Sequence, residues 1–299
     1  QFGRFVNKGP ISQKAGGDIF FYLHTLLWAF APWCLLFYYA IYKQVRQLFG
    51  KIRLVEYYTL SGGLLLLLLF SLSRFQLPFY TNAVFPLFAI IMAPYCYGRL
   101  SRFGTKFRLI SQYIYIVLFP VVILAVNYFL KPGNNLPLAI DIIIFLAMAL
   151  GIFTQIKQSS QQVFLLSCTV ALFANFYLNT VLYKEVASYN GQITAARYLN
   201  QPAFAAKHLY SLKLTNNVFQ FYTDKPVDYL ALDQFNNFKP DSASVFYANQ
   251  ASIDYLNQTH ANFKIIQSFQ NYPQERILPD FINKPNRYKV LDKVYLITK

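Results

Sequence analysis

Apolar residues run through the first 183 positions in long blocks with few polar interruptions. Six of these blocks approach the roughly 20 residues that a helix needs to cross about 30 Å of hydrocarbon. They cover residues 18–42, 54–73, 79–98, 109–130, 136–156 and 163–183, and each is predicted to be a membrane-spanning helix. Tyrosines gather near their ends, among them Tyr38, Tyr39 and Tyr42, Tyr57 and Tyr58, and Tyr95 and Tyr97, where an amphipathic ring suits the interface. From residue 184 the pattern shortens. "ITAARYLNQ", "NNVFQFYTD" and "ASIDYLNQTH" read as helices, whereas "HLYSLKL", "VDYLAL", "SVFYAN", "FKIIQSFQNY" and "KVYLITK" read as strands. The expected fold class is a polytopic α-helical membrane region of about six spans, residues 18–183, followed by a small α/β domain over 184–299. Residues 1–17 form a loop ahead of the first span.

Composition supports lipid as the solvent. The chain is 56% hydrophobic and 13% charged, too few charges to cover a water-soluble protein of 299 residues. The charges divide at the same place as the hydropathy. Up to Tyr183 there are 14 Lys or Arg and three acids, a net +11, while Lys184–Lys299 holds 13 and nine, a net +4. "KQVRQLFGKIR" and "GRLSRFGTKFR" carry four basic residues each and "KQSSQQ" adds Lys157, whereas the intervening connections carry only Arg74 and Lys131. By the positive-inside rule the first set faces the cytoplasm. Residues 1–17 and the carboxy-terminal domain then lie on the external, periplasmic side of a multi-pass protein of the cytoplasmic (inner) membrane. This topology accounts for the basic excess. No basic stripe with spaced aromatics suggests a nucleic-acid partner.

Few side chains carry candidate chemistry. Cys34, Cys96 and Cys168 stand singly in three blocks, without the paired spacing of metal or redox sites, and are expected as small packed residues. His24, His208 and His260 are isolated, and His24 alone lies where it could meet a ligand, in the outer third of the first span. The external domain has no glycine-rich phosphate loop. "SLSRFQLPFY", Ser71–Tyr80, is more informative. Arg74 ends an apolar block and Pro78, which lacks an N–H, forces a turn. A guanidinium at that depth either snorkels to the headgroups or serves as a forked phosphate ligand.

Two segments carry a resemblance. "QFGRFVNKGPISQKAGGDIFFYLHTLLWAFAPWCLLF" and "FSLSRFQLPFYTNAVFPLFAIIMA" resemble, in order and spacing, the ArnT-like and protein-mannosyltransferase-like membrane glycosyltransferases of the GT-C fold, over roughly the first hundred residues. The resemblance implies transfer of a sugar from a polyprenyl-phosphate carrier to a protein, lipid or glycan acceptor on the external face. It implies donor-phosphate binding by Arg74, Arg4 and Tyr80, with Gln76, Pro78 and His24 as cavity residues. Members that hold a metal place a histidine in the amino-terminal loop. "FVNKGPISQKAGGD" has none, so no metal and no other cofactor is expected.

The same resemblance places the acidic general base on a loop upstream of Gln1, so the chain is expected to be a carboxy-terminal portion, inactive in transfer by itself. The acids present are not named as the base. Glu56 is on the cytoplasmic side, Asp18 is placed to cap a helix, and Asp141 is expected to hydrogen-bond to a neighbouring helix. The alternative reading is a polytopic transporter or lipid-handling protein with an external ligand-binding domain. Pro32, Pro86 and Pro120 interrupt three spans, as transporter helices often are, but no internal repeat accompanies them.

Overall fold

The computed structural model describes residues 18–49, 57–73, 76–212, 217–239, 244–273 and 276–299. The chain separates into two units: one contains residues 18–124 and Leu136–Tyr177, the other Ala125–Asn135 and Leu178–Lys299. The second unit thus begins slightly before the charge break at Tyr183 and also takes in a short earlier segment.

The first unit is helical. Its helices are α1 (Phe21–Ala29), α2 (Cys34–Phe49), α3 (Tyr57–Leu72), α4 (Phe85–Tyr97), α5 (Arg102–Leu130, whose last turns belong to the second unit), α6 (Leu136–Gln155) and α7 (Ser159–Tyr177). A single π-turn, Leu178–Leu182, joins α7 to α8 (Tyr183–Ser188) without a break. Among the described residues three helical stretches are long and apolar enough to cross a membrane: Arg102–Leu130, Leu136–Gln155 and Ser159–Ser188. They match three of the six expected spans. Leu146 and Leu150 of α6 are 58% and 66% exposed, and such a wide bare apolar surface needs lipid or a partner against it. Two of the other blocks are broken. Residues 18–42 form two helices separated at Phe30–Trp33, where Pro32 lacks the N–H that would continue α1. The block 79–98 yields a 3₁₀ turn, Pro78–Ala83, followed by the 13-residue α4. Of the block 54–73 the described part holds the 16-residue α3.

Packing between these helices is close. A Cβ on Gly63 of α3 would stand 3.0 Å from the Phe88 ring of α4, so the glycine sets the approach of the two helices. Phe30, Phe37 and Phe88 form the centre of this core, with Phe37 and Phe88 ring centroids 4.3 Å apart. The Cys34 thiol lies 2.8 Å from the Tyr115 hydroxyl, and Cys34 and Cys96 are buried as expected of packed residues.

The second unit is a three-layer α/β fold. Strands β1 (His208–Ser211), β2 (Val227–Tyr229), β3 (Ser244–Asn249), β4 (Lys264–Asn271) and β5 (Asp292–Thr298) are ordered β2-β1-β3-β5-β4. β2, β1 and β3 are parallel, while β5 is antiparallel to both β3 and β4. Each expected strand and helix of the unit is present. β3 is central, so both its faces are covered and its sequence is apolar without strict alternation. Val245 and Tyr247 pack beneath α9 (Gly191–Leu199) and α10 (Asn217–Tyr222), while Phe246 and Ala248 pack against α11 (Gln250–Gln258) on the other face. Asn190 and Asn249 cap α9 and α11, each side chain accepting a backbone N–H in the first turn.

Arg287, 3% exposed at its side chain, joins the distant parts of this unit. Its Nη1 donates to Glu185 Oε1 at 2.8 Å and to the Tyr189 hydroxyl at 2.9 Å. Nη2 donates to the Leu130 carbonyl at 3.2 Å and Nε to the Phe281 carbonyl at 2.9 Å. The guanidinium carbon lies 4.9 Å from the Tyr189 ring centroid and 4.6 Å from that of Phe281.

Candidate functional site

The turn after α3 is where the sequence concentrates candidate chemistry. Leu77 is extended (φ −125°, ψ 135°), as the residue before a proline prefers, and Pro78 opens the 3₁₀ turn with its fixed φ and absent donor. The Tyr80 N–H donates to Leu77 O at 3.1 Å and the Thr81 hydroxyl to Pro78 O at 2.7 Å, which closes the turn. Tyr80 is half-buried, its ring 5.8 Å from that of Phe70 and 5.0 Å from that of Phe79.

Gln76 does something the sequence did not announce. Its Oε1 accepts from the Asp18 N–H at 3.1 Å, and its Nε2 donates to the Asp18 carbonyl at 2.9 Å and to the Ser71 carbonyl at 3.0 Å. One amide therefore reproduces the donor–acceptor pair of a backbone neighbour and fixes its own orientation. Two positions 58 residues apart in the chain are held together by it. Gln76 thus acts as a clasp between the two segments.

Asp18 is engaged at several atoms. Its Oδ1 accepts from the Phe20 N–H at 2.9 Å, and its Oδ2 lies 3.9 Å from His24 Nδ1. The expected helix cap is displaced: Phe20 is the N-cap of α1, and the carboxylate closes the turn before it. His24 is mostly exposed, at 71% of its side chain, and the long contact to an exposed acid contributes little. Tyr22, on the same helix, is fully buried against Phe70. Its hydroxyl lies beside Leu77 and Tyr80 without a hydrogen-bond partner of good geometry.

The described structure thus brings Asp18, Tyr22, Gln76, Pro78 and Tyr80 to one end of the helices and places His24 one turn along α1. Arg74 and Arg4, the two expected phosphate ligands, lie outside the described residues, as does Glu56. Sequence reasoning missed Tyr22, which looks like any aromatic in an apolar block, and the Ser71 carbonyl, which no side-chain pattern reports.

Asp141 requires a correction. It is 4% exposed in α6, but among the described residues no neighbouring helix supplies a donor to its Oδ2. The seam between α6 and α7 is apolar nearby, with Phe145 against Phe173 at 5.0 Å, which explains why the expected hydrogen bond has no partner. Among the described residues no three His, Cys, Asp or Glu side chains come together as metal ligands would. In the second unit, burial pushes the Tyr247 phenol above its usual range, and the nearby Asp292 carboxylate adds to the effect.

Comparison of the chain with family models, with curated proteins and with solved structures found no match in any of the three.

Proposed function

We propose that the chain belongs to a membrane glycosyltransferase that takes a sugar from a polyprenyl-phosphate carrier and passes it to an acceptor on the external face of the inner membrane. In this reading the six apolar blocks are spans, the shorter ones completed by their flanking turns, and the α/β unit stands on the same external side as residues 1–17. The observation that carries the proposal is the Gln76 clasp. The resemblance to this enzyme class rests on two stretches separated in sequence, and the Gln76 amide joins the middle of the first, at Asp18, to the turn of the second.

The chemistry required there is simple. The leaving group is a lipid phosphate that remains at the membrane surface, and its developing charge is stabilised by fixed cationic donors. Arg74 stands two residues before the clasp in sequence, and a guanidinium offers a planar fork to two phosphate oxygens. Arg4 supplies a second cation and Tyr80 a half-buried ring and hydroxyl for the adjoining sugar or pyranose face.

The test is binding of undecaprenyl phosphate to the purified chain in nanodiscs, comparing wild type with Arg74→Lys and Arg74→Gln. Loss of a hydrogen-bonded charge costs roughly 1.5–3 kcal/mol, so Arg74→Gln is expected to weaken binding by about ten- to a hundredfold. Arg74→Lys keeps the charge without the fork and should fall between the two. Equal affinity in all three, with thermal midpoints unchanged, refutes the proposal and leaves Arg74 as a snorkelling residue.

A further inference from the structure

At the other end of α4, about 20 Å from the Pro78 turn at 1.5 Å per residue, a second site has been built from residues that orientation alone seemed to explain. A cavity of about 440 Å³ lies between the carboxy-terminal parts of α2 and α4 and the connection into α5. Lys43 and Gln44 line it from α2, Tyr95 from α4, and Arg99 and Ser101 from the connection. Its volume falls within the range of small-ligand pockets.

The cavity is cationic and has an aromatic wall. The Lys43 ammonium lies 5.7 Å over the Tyr39 ring, which stacks on Phe107 at 4.9 Å and meets Tyr95 edge-on at 5.9 Å. Gln44 is held by its Nε2, which donates to Ile91 O at 3.3 Å. Behind the wall sits Arg108, 8% exposed, whose Nη1 donates to the carbonyls of Tyr95, Cys96 and Gly98 at 3.3, 3.1 and 3.2 Å. Among the described residues its Nε has no partner. The 29-residue α5 begins next to Ser101, so the positive end of a long helix dipole adds to the same region.

Among the described residues no ion pair offsets this. Among the described residues the ion pairs are His24 with Asp18 and Arg287 with Glu185, and neither involves Lys43, Arg99 or Arg108. Lys43, Arg99, Arg108 and a helix start gathered about one open-sided cavity repel one another unless an anion enters. The surroundings indicate where that anion comes from. Ile90, which lines the cavity, is 53% exposed, and Tyr42 and Tyr97, on the same two helices, are 56% and 51% exposed, so an apolar outer surface adjoins the cationic space.

We propose that this cavity is a binding site for the headgroup of an anionic phospholipid, its phosphate between Lys43 and Arg99 and its acyl chains along the outer faces of α2 and α4. The site is separate from the carrier site at the other end of α4 and would be occupied whether or not that reading holds.

Native mass spectrometry of the delipidated chain, titrated with dioleoylphosphatidylglycerol or dioleoylphosphatidylcholine, reads this directly. Wild type is expected to retain one phosphatidylglycerol at least tenfold more tightly than phosphatidylcholine. Lys43→Gln with Arg99→Gln should abolish that preference, each single variant should reduce it, and Lys43→Arg with Arg99→Lys should keep most of it. Arg102→Gln with Lys106→Gln removes the same charge from exposed neighbours outside the cavity and should change affinity less than threefold. An equal loss in this control pair would mean a diffuse basic face and overturn the proposal. Displacement of the lipid by millimolar inorganic phosphate or glycerol 3-phosphate would also overturn it, by showing a site for free phosphate.

Discussion

Arg287→Met should strongly destabilise the carboxy-terminal unit. The guanidinium is 3% exposed and makes four hydrogen bonds, two of them to backbone carbonyls at Leu130 and Phe281. Methionine fills similar space but strands those acceptors and leaves Glu185 without its counter-ion. Breaking a buried pair from one side typically costs about 3–5 kcal/mol. Glu185 is 19% exposed at its side chain, so water partly solvates the stranded carboxylate and the lower figure, about 3 kcal/mol, is expected. Glu185→Gln is milder. It keeps an acceptor at the same place and exchanges a charge-assisted bond for a neutral one, about 1–2 kcal/mol. Because the two side chains share one interaction, the double variant should lose less than the sum of the singles, with a coupling of about 1–2 kcal/mol. Thermal unfolding in detergent reads the global effect, roughly 3–5 °C per kcal/mol for a unit of this size. Amide exchange at residues 125–135, 185–190 and 281–287 locates it. A shift under about 3 °C for Arg287→Met, with unchanged exchange in those segments, would refute the reasoning. It would mean that the cost of desolvating the guanidinium cancels all its contacts.

Two further outcomes follow from the same unit. Tyr247 is neutral in the fold with its pKa raised, so above pH ~10 the unfolded chain loses a proton that the folded chain keeps. Stability from this group is complete below pH ~10 and falls above it by up to about 1.4 kcal/mol per pH unit; Tyr247→Phe should remove that slope in denaturant titrations at pH 9–11, and parallel curves would contradict it. Gly191→Ala should destabilise although alanine is the better helix former by about 1 kcal/mol. The added Cβ would meet Val294 Cγ2 at 2.7 Å and the Gln270 carbonyl at 2.8 Å, an overpacking of about 1–3 kcal/mol. A raised melting temperature in this variant would show that the neighbours yield freely.

The second unit was legible almost element by element, because short strands and capped helices write their periods locally. "SVFYAN" and "KVYLITK" coincide with β3 and β5, and the Asn residues before α9 and α11 act as caps. Their order in the sheet was not legible, since β5 inserts between β3 and β4 through contacts distant in sequence. In the first unit, apolar blocks gave the helices but not their integrity. Hydropathy is blind to the break at Phe30–Trp33, where every residue except the proline suits a span. The site was half legible. Pro78 and Tyr80 were marked by the turn, whereas the Gln76 clasp depends on a backbone partner 58 residues away. Lys43 and Arg99 were counted as orientation signals, which hid the cavity they line. Asp141 was assigned a partner on the general rule for membrane carboxyls, and only packing could show that none reaches its Oδ2.

The carboxy-terminal unit is discontinuous, and this governs how it can be inherited or moved. Residues 125–135 precede α6 and α7, yet they supply the Leu130 carbonyl to Arg287 and the Lys131 carbonyl to the Lys284 ammonium at 3.0 Å. A piece excised from residue 184 onward would leave behind one acceptor of Arg287, the Leu130 carbonyl, and the Lys131 carbonyl that accepts from Lys284, and would lose Leu178–Leu182 as well. The unit is therefore transplantable only together with the link between α5 and α6. In any recombination between related chains, a crossover placed inside α6 or α7 would separate donors from acceptors, while one placed before Ala125 would transfer the whole set.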